Sequence, residues 1–207
     1  RTQEILAILA SMTKSGRLKQ QPIYIGGLGR VFTEIYDLQA HRTNRKFPDL
    51  QLRQELNLTV LEREDLQTIK LNKGNIFVLT AGMMNENTAA HDMAMRIIEQ
   101  EKHSIFFVGY ADPDTPAGRL KATKPGQTFF FSNIGGNLKR KCNIEDFDLT
   151  AHADKFDMLH FISRVKPKAV ILGHGSDIAI RWFQEQINKN FPKVKVFQPK
   201  PGEMIEI

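Results

Sequence analysis

Apolar residues recur at helical spacing from the start of the chain. Ile5, Leu6, Ile8, Leu9 and Met12 form a stripe in "TQEILAILASMTKSG", which Gly16 ends. The run "QQPIYIGG" then reads as a short buried strand after a proline. "RVFTEIYDLQAHR" predicts a helix, with Val31, Ile35 and Leu38 at helical spacing before a basic, turn-rich exit over residues 41 to 46. Residues 47 to 73 hold no sustained period and predict irregular structure with one strand at "LNLTVL". After Gly74 the pattern sharpens into an apolar strand "NIFVLTA", an amphipathic helix "NTAAHDMAMRIIEQ" and a second apolar strand "SIFFVGY". Continuous apolar strands separated by helices predict a parallel sheet covered on both faces.

The stretch "ADPDTPAGRLKATKPG" is rich in turn formers and reads as a boundary. Beyond it "QTFFFSN" and "NLKRKCNI" predict strands. A helix from Asp154, the strand "AVILG", a helix around "AIRWFQEQINKNF" and a final strand pair, "KVKVFQ" and "EMIEI", complete the pattern. The chain is thus an α/β protein of two lobes, divided near residue 120.

Composition narrows the class. An apolar fraction of 41% and a charged fraction of 25% suit a globular protein with one large or two small domains. The single cysteine, Cys142, excludes an internal disulfide and no C-x-x-C cluster is present, so a reducing, cytoplasmic setting is expected. No run of about 18 apolar residues indicates a membrane span. The net charge of +6 and pI near 9.4 are compatible with a polyanionic partner.

Several residues then carry candidate chemistry. In "AVILGHG" an apolar strand ends at Gly173 and Gly175, which permit a tight turn and let His174 project from the strand's carboxyl end, where α/β sheets collect ligands. A histidine satisfied by a backbone carbonyl at a strand–helix turn is the simpler account of it. His152 and Thr150, in "TAHAD", precede Asp154, a suitable N-cap, and capping chemistry could explain the whole motif. "TAGMMNENTAAH" runs from a strand into a helix, and Thr80 and Asn85 could extend an anion site there, or Asn85 or Asn87 could simply cap the helix. "LKRKC" on a strand would send Lys139 and Lys141 to one face, as a phosphate grip or as a solvated surface.

The order of "GMM", "VGY", "TAHAD" and "ILGHG", together with the opening "RTQEIL" and the strand "PIYI", resembles the β-CASP branch of the metallo-β-lactamase superfamily, the RNA-processing nucleases. The resemblance spans the chain apart from about residues 45 to 73. It implies a β-CASP parallel-sheet domain over residues 1–120 and, over residues 121–207, the carboxy-terminal part of a metallo-β-lactamase αββα fold. It also implies a zinc-dependent hydrolase of phosphodiester bonds, with exonuclease or endonuclease mode left open. "TAHAD" would be the family's motif B, placing His152 by the scissile phosphate as general acid. "ILGHG" would be motif C, making His174 a ligand of one of two zinc ions, a role suited to a neutral imidazole. A histidine at motif C, where DNA-processing members carry valine, implies RNA as partner. No membrane is implied, and a homo-oligomer is left open.

The sequence departs from the family in places. The H-x-H-x-D-H ligand motif is not within these residues, so the chain is expected to be a fragment that is inactive alone. Thr150 stands where serine is common, Ser176 where an acidic residue often follows, and "GYADPDTPAGR" is one residue longer than the family's pattern. Two other readings stand beside the nuclease. One is a catalytically silent β-CASP scaffold subunit. The other is a nucleotide-binding α/β domain, from Gly27-Leu28-Gly29 in "PIYIGGLGRVF", although the third glycine of the dinucleotide fingerprint is missing.

Overall fold

A computed structural model describes residues 1–147, 149 and 153–206, and separates the chain into two compact units, Arg1–Thr150 and Ala151–Ile207. The first opens with helix α1, Thr2–Lys14, which buries Leu6 and Ala10, four positions apart on one face. Strand β1, Ile23–Gly26, and helix α2, Leu28–Leu38, come next, as the pattern predicts. Gln3 ties the two helices together: its amide donates to Thr33 Oγ1 at 3.1 Å, and that buried hydroxyl donates to the Gly29 carbonyl at 2.7 Å.

Residues 47 to 73 are more ordered than their mixed polarity suggests. They form the short helices α3, Leu52–Glu55, and α4, Asp65–Thr68, around strand β2, Thr59–Leu61. Long-range polar contacts replace periodicity here. The buried Asp37 carboxylate accepts from the backbone N–H groups of Leu52, at 2.8 Å, and Arg53, at 3.0 Å, and so caps α3 from α2. Strand β3, Ile76–Leu79, completes a parallel sheet in the order β2-β1-β3, with Ile23 opposite Ile76 and Tyr24 opposite both Thr59 and Phe77. Leu6, Ala10, Ile23, Ile25, Leu52 and Leu56 form its core.

Helix α5, Ala89–Ile97, is capped by Thr88, whose hydroxyl accepts from His91 N–H at 3.3 Å. Its Asp92 is buried and pairs with Arg63 at 2.7 Å, a hydrogen bond that pushes the guanidinium pKa up from its usual value. Strand β4, Ser104–Phe107, does not join the β1 sheet. It pairs in parallel with β7, Asn143–Asp146, with Phe107 opposite Asp146. Between them lie helix α6, Pro116–Ala122, and the antiparallel pair β5, Thr128–Phe131, and β6, Gly136–Lys139. Phe107, Leu120, Phe129, Phe131, Ile98 and Cys142 pack as a second core. Burial pushes the Cys142 thiol pKa up, so it is an inert packing group.

"NLKRKCNI" is therefore two strands rather than one, broken where Arg140 turns inward and donates to the Thr123 and Cys142 carbonyls. The turn-rich stretch at 111 to 126 lies inside the first unit and contains α6. There Thr115 accepts from Gly118 N–H at 3.3 Å, and a Cβ on Gly118 would sit 2.1 Å from the Asp112 carbonyl oxygen.

The second unit comprises α7, Lys155–Val165, strand β8, Ala169–Ile171, helix α8, Asp177–Asn190, and strand β9, Lys195–Phe197. The strands pair in parallel, Val170 opposite Val196. Residues 203 to 206, expected in a last strand, have no regular structure, and Ile207 lies outside the described residues. Among the described residues no helix is long and apolar enough to cross a membrane.

Candidate active site

In the first unit, the loops after the strands converge on the carboxyl edge of the sheet. Gly27, with φ 62°, turns the chain from β1 into α2, and Thr80 lies directly beyond β3. The Thr80 hydroxyl donates to the Gly26 carbonyl at 3.3 Å and accepts from Gly29 N–H at 3.4 Å. A Cβ on Gly27 would stand 2.6 Å from that hydroxyl oxygen. The small residue is thus explained by the approach of Thr80, so the turn has a packing reason that needs no pyrophosphate.

Thr80, a candidate for extending an anion site, is engaged here in bracing the turn. Asn85 is exposed, and its carbonyl accepts from the N–H and hydroxyl of Thr88, at 3.3 and 2.7 Å. The α5 cap is Thr88, not Asn85 or Asn87. Between Thr80 and Thr88 the backbone holds three non-glycine residues at positive φ: Ala81 at 103°, Met84 at 50° and Asn87 at 65°. Such conformations cost about 1–3 kcal/mol each and gather at sites where loop shape matters.

Lys139 and Lys141 are both exposed, but Lys141 lies beyond the end of β6. Glu99, Glu101 and Lys102 line the same shallow depression as Lys141, so its charges are mixed, and Glu99 accepts from the Lys139 N–H at 3.0 Å.

In the second unit His174 lies between β8 and α8, and it is exposed. The turn is made differently from the sequence expectation, since the left-handed residue is His174 itself, with φ 54°, while neither Gly173 nor Gly175 has positive φ. A non-glycine residue in that region is uncommon, and histidine adopts it more readily than most side chains do. Ser176 caps α8 by accepting from Ala179 N–H at 3.3 Å, so the histidine is not needed for capping.

His152 and Thr150 lie outside the described residues. The helix beyond them supplies its own cap. Asp154 Oδ1 accepts from Phe156 N–H at 2.7 Å and Asp157 N–H at 2.8 Å, while Asp157 Oδ2 accepts from Asp154 N–H at 3.2 Å. This reciprocal capping box is complete without Thr150. Among the described residues no group of three or more His, Cys, Asp and Glu side chains could hold a metal ion. His174 fits a metal as one exposed imidazole donor, and it belongs to no group of three such donors among the described residues, short of the four that a closed zinc shell takes.

An aromatic pair on α7 and α8, the exposed Phe156 and the half-buried Trp182, is not singled out by periodicity. The "KF" and "RW" pairings of cation and aromatic are its visible signal.

Comparison with known proteins adds two domain matches. Residues 2–120 match a Beta-Casp domain, and residues 137–199 a Zn-dependent metallo-hydrolase RNA specificity domain. The chain is 29% identical to an RNase, aCSPSF2, of Saccharolobus solfataricus, covering 100% of this chain and 39% of the relative. It is 23% identical to the endoribonuclease YSH1 of Eremothecium gossypii, over 94% of this chain and 26% of the relative. It is also 23% identical to an RNase J-like protein of Methanocaldococcus jannaschii, over 100% of this chain and 48% of the relative. The chain thus spans less than half the length of these curated relatives. With a Beta-Casp match over more than half of its residues, in the strand and loop order described above, the chain belongs to the β-CASP family of the metallo-β-lactamase superfamily.

Proposed function

We propose that this chain is part of a zinc-dependent RNA-processing nuclease that hydrolyses phosphodiester bonds. Its β-CASP domain would run over residues 1–120, and residues 121–207 would be the carboxy-terminal segment of the lactamase domain. The observation that carries the reading is His174, exposed on a left-handed turn at the carboxyl end of β8 inside the segment matched by the RNA specificity domain. The names of the relatives, an RNase and an endoribonuclease, support RNA as substrate. Zinc, when bound, supplies a hydroxide near neutral pH and a clamp on the phosphate oxygens. In this reading His174 donates one imidazole nitrogen to the metal, and His152 protonates the leaving oxygen. The free thiol of Cys142 supports a reducing, cytoplasmic setting.

The test uses the intact protein. His174→Ala is expected to lower both bound zinc and cleavage of single-stranded RNA, because one member of a small ligand set is gone. His152→Ala is expected to keep the zinc and lose about 10² to 10⁴-fold in rate. Unchanged zinc in His174→Ala with full cleavage by either variant would overturn these roles. An intact protein that binds RNA but never cleaves it would establish the scaffold reading instead.

A further inference from the structure

We infer that Lys155, Phe156 and Trp182 form a stacking platform for a base of single-stranded RNA. The inference rests on the nuclease reading and adds a contact to it. Helices α7 and α8 bring the aromatic rings together edge to face, with centroids 6.3 Å apart and planes at 86°. Trp182 is held in turn by Phe183, at 5.0 Å and 90°. Edge-to-face packing sets the edge of one ring against one face of its neighbour and leaves the opposite face uncovered by that contact; Phe156 remains 63% exposed and Trp182 is half-buried.

The Lys155 ammonium lies 5.1 Å from the Phe156 centroid and 5.0 Å from that of Trp182, within cation–π range of both. A positive charge beside an exposed ring suits a nucleotide, which offers a base to stack and a phosphate to neutralise. Arg181, exposed and next to Trp182, adds a second cation. Two acids, Asp154 and Asp157, lie beside Lys155 and Phe156 in the sequence. Oxygens of Asp154 and Asp157 are already engaged by the backbone N–H groups of the α7 cap. The second unit carries nine Lys and Arg against six Asp and Glu, a net +3. The platform begins three residues along the chain from His152 and lies within the residues matched by the RNA specificity domain.

Trp182 is the single tryptophan, so its fluorescence reports on this place alone. The 207-residue chain, with a chelator present, is titrated with a short oligoadenylate and with an abasic ribose-phosphate strand of equal length. Oligoadenylate is expected to quench Trp182, whereas the abasic strand binds more weakly and without quenching. Phe156→Ala should weaken oligoadenylate binding about tenfold and leave abasic binding unchanged, while Phe156→Tyr retains parental affinity. Circular dichroism confirms that both variants fold. Equal binding of the two strands, or parental affinity in Phe156→Ala, would overturn the platform. So would a Trp182 change that depends on protein concentration without RNA, which would mark a protein interface. The cleavage and zinc measurements on His152 and His174 are independent of these outcomes, so the platform can fail while the nuclease reading stands.

Discussion

The two compact units use the same materials, parallel strands and amphipathic helices, and bury them very differently. In the first, Leu6, Leu52, Ile98, Leu120 and Phe131 have no exposed surface, and three apolar clusters fill the space between sheets and helices. In the second, Ile187 is the one buried residue among those described, while Phe161 at 67% and Ile178 at 80% face solvent. Periodicity decides which side chains line up on one face. It does not decide whether anything covers that face. Two strands with two helices lie near the lower limit of what holds together alone.

The widest test of this contrast compares a large core truncation in each unit. Phe131→Ala removes a side chain with no exposed surface, which touches Phe129 edge to face at 4.9 Å, and is expected to cost about 3–5 kcal/mol in urea unfolding. Ile187→Ala should fall at the low end of its class, about 2 kcal/mol, because the partly open surroundings can relax. Amide exchange should show the same order, with β1 opening only at the global free energy and α7 well below it. Equal costs for the two variants would break the comparison.

Helix caps sharpen it on a smaller scale. Asp37 is buried and holds α3 from a distant helix, whereas Asp154 is exposed and caps its own helix. Asp37→Ala is expected to cost about 2 kcal/mol and Asp154→Ala about 1 kcal/mol, read as shifts in the thermal midpoint. A larger loss for Asp154 would mean that the second unit depends on that cap more than on its packing.

Much of this architecture is legible in the sequence. The strand at "NIFVLTA", the helix after Asp154 and the turn carrying His174 all arise from local patterns. The misses share a cause, because each depends on contacts made far along the chain. The α3 cap comes from Asp37, fifteen residues away, and no window of local propensity contains it. Likewise β4 takes its partner from β7 rather than from the β1 sheet, a choice made by packing around Phe107 and Phe131. Helix α6 is a different kind of miss. "DTPAGRL" carries an N-cap threonine with proline at the first helical position, a start signal masked by the surrounding turn formers. At the site, His174 is readable as a turn histidine, but its left-handed backbone is not, since the flanking glycines are the expected carriers of that conformation.

The smallest expected effect is a pH dependence confined to the first unit. His103 stands just before β4, where its carbonyl accepts from Asn143 N–H at 3.1 Å, and its buried Nε2 has no hydrogen-bond partner. Burial pushes its pKa below the ordinary histidine value, and the neighbouring Lys102 charge adds to the effect. Proton counting fixes the sign. As pH falls through the unfolded value of about 6.5, the unfolded chain takes up a proton that the folded chain still refuses, so stability is lost. The loss stops growing once pH is below the depressed folded value, where both states are protonated. His103→Asn should therefore flatten the acid limb of the stability profile, with little change above neutral pH. Urea unfolding of parent and variant at a series of pH values measures it, and parallel acid limbs would assign the slope to other groups. Exchange of the β4 and β7 amides over the same series then shows whether the slope belongs to the well-packed unit.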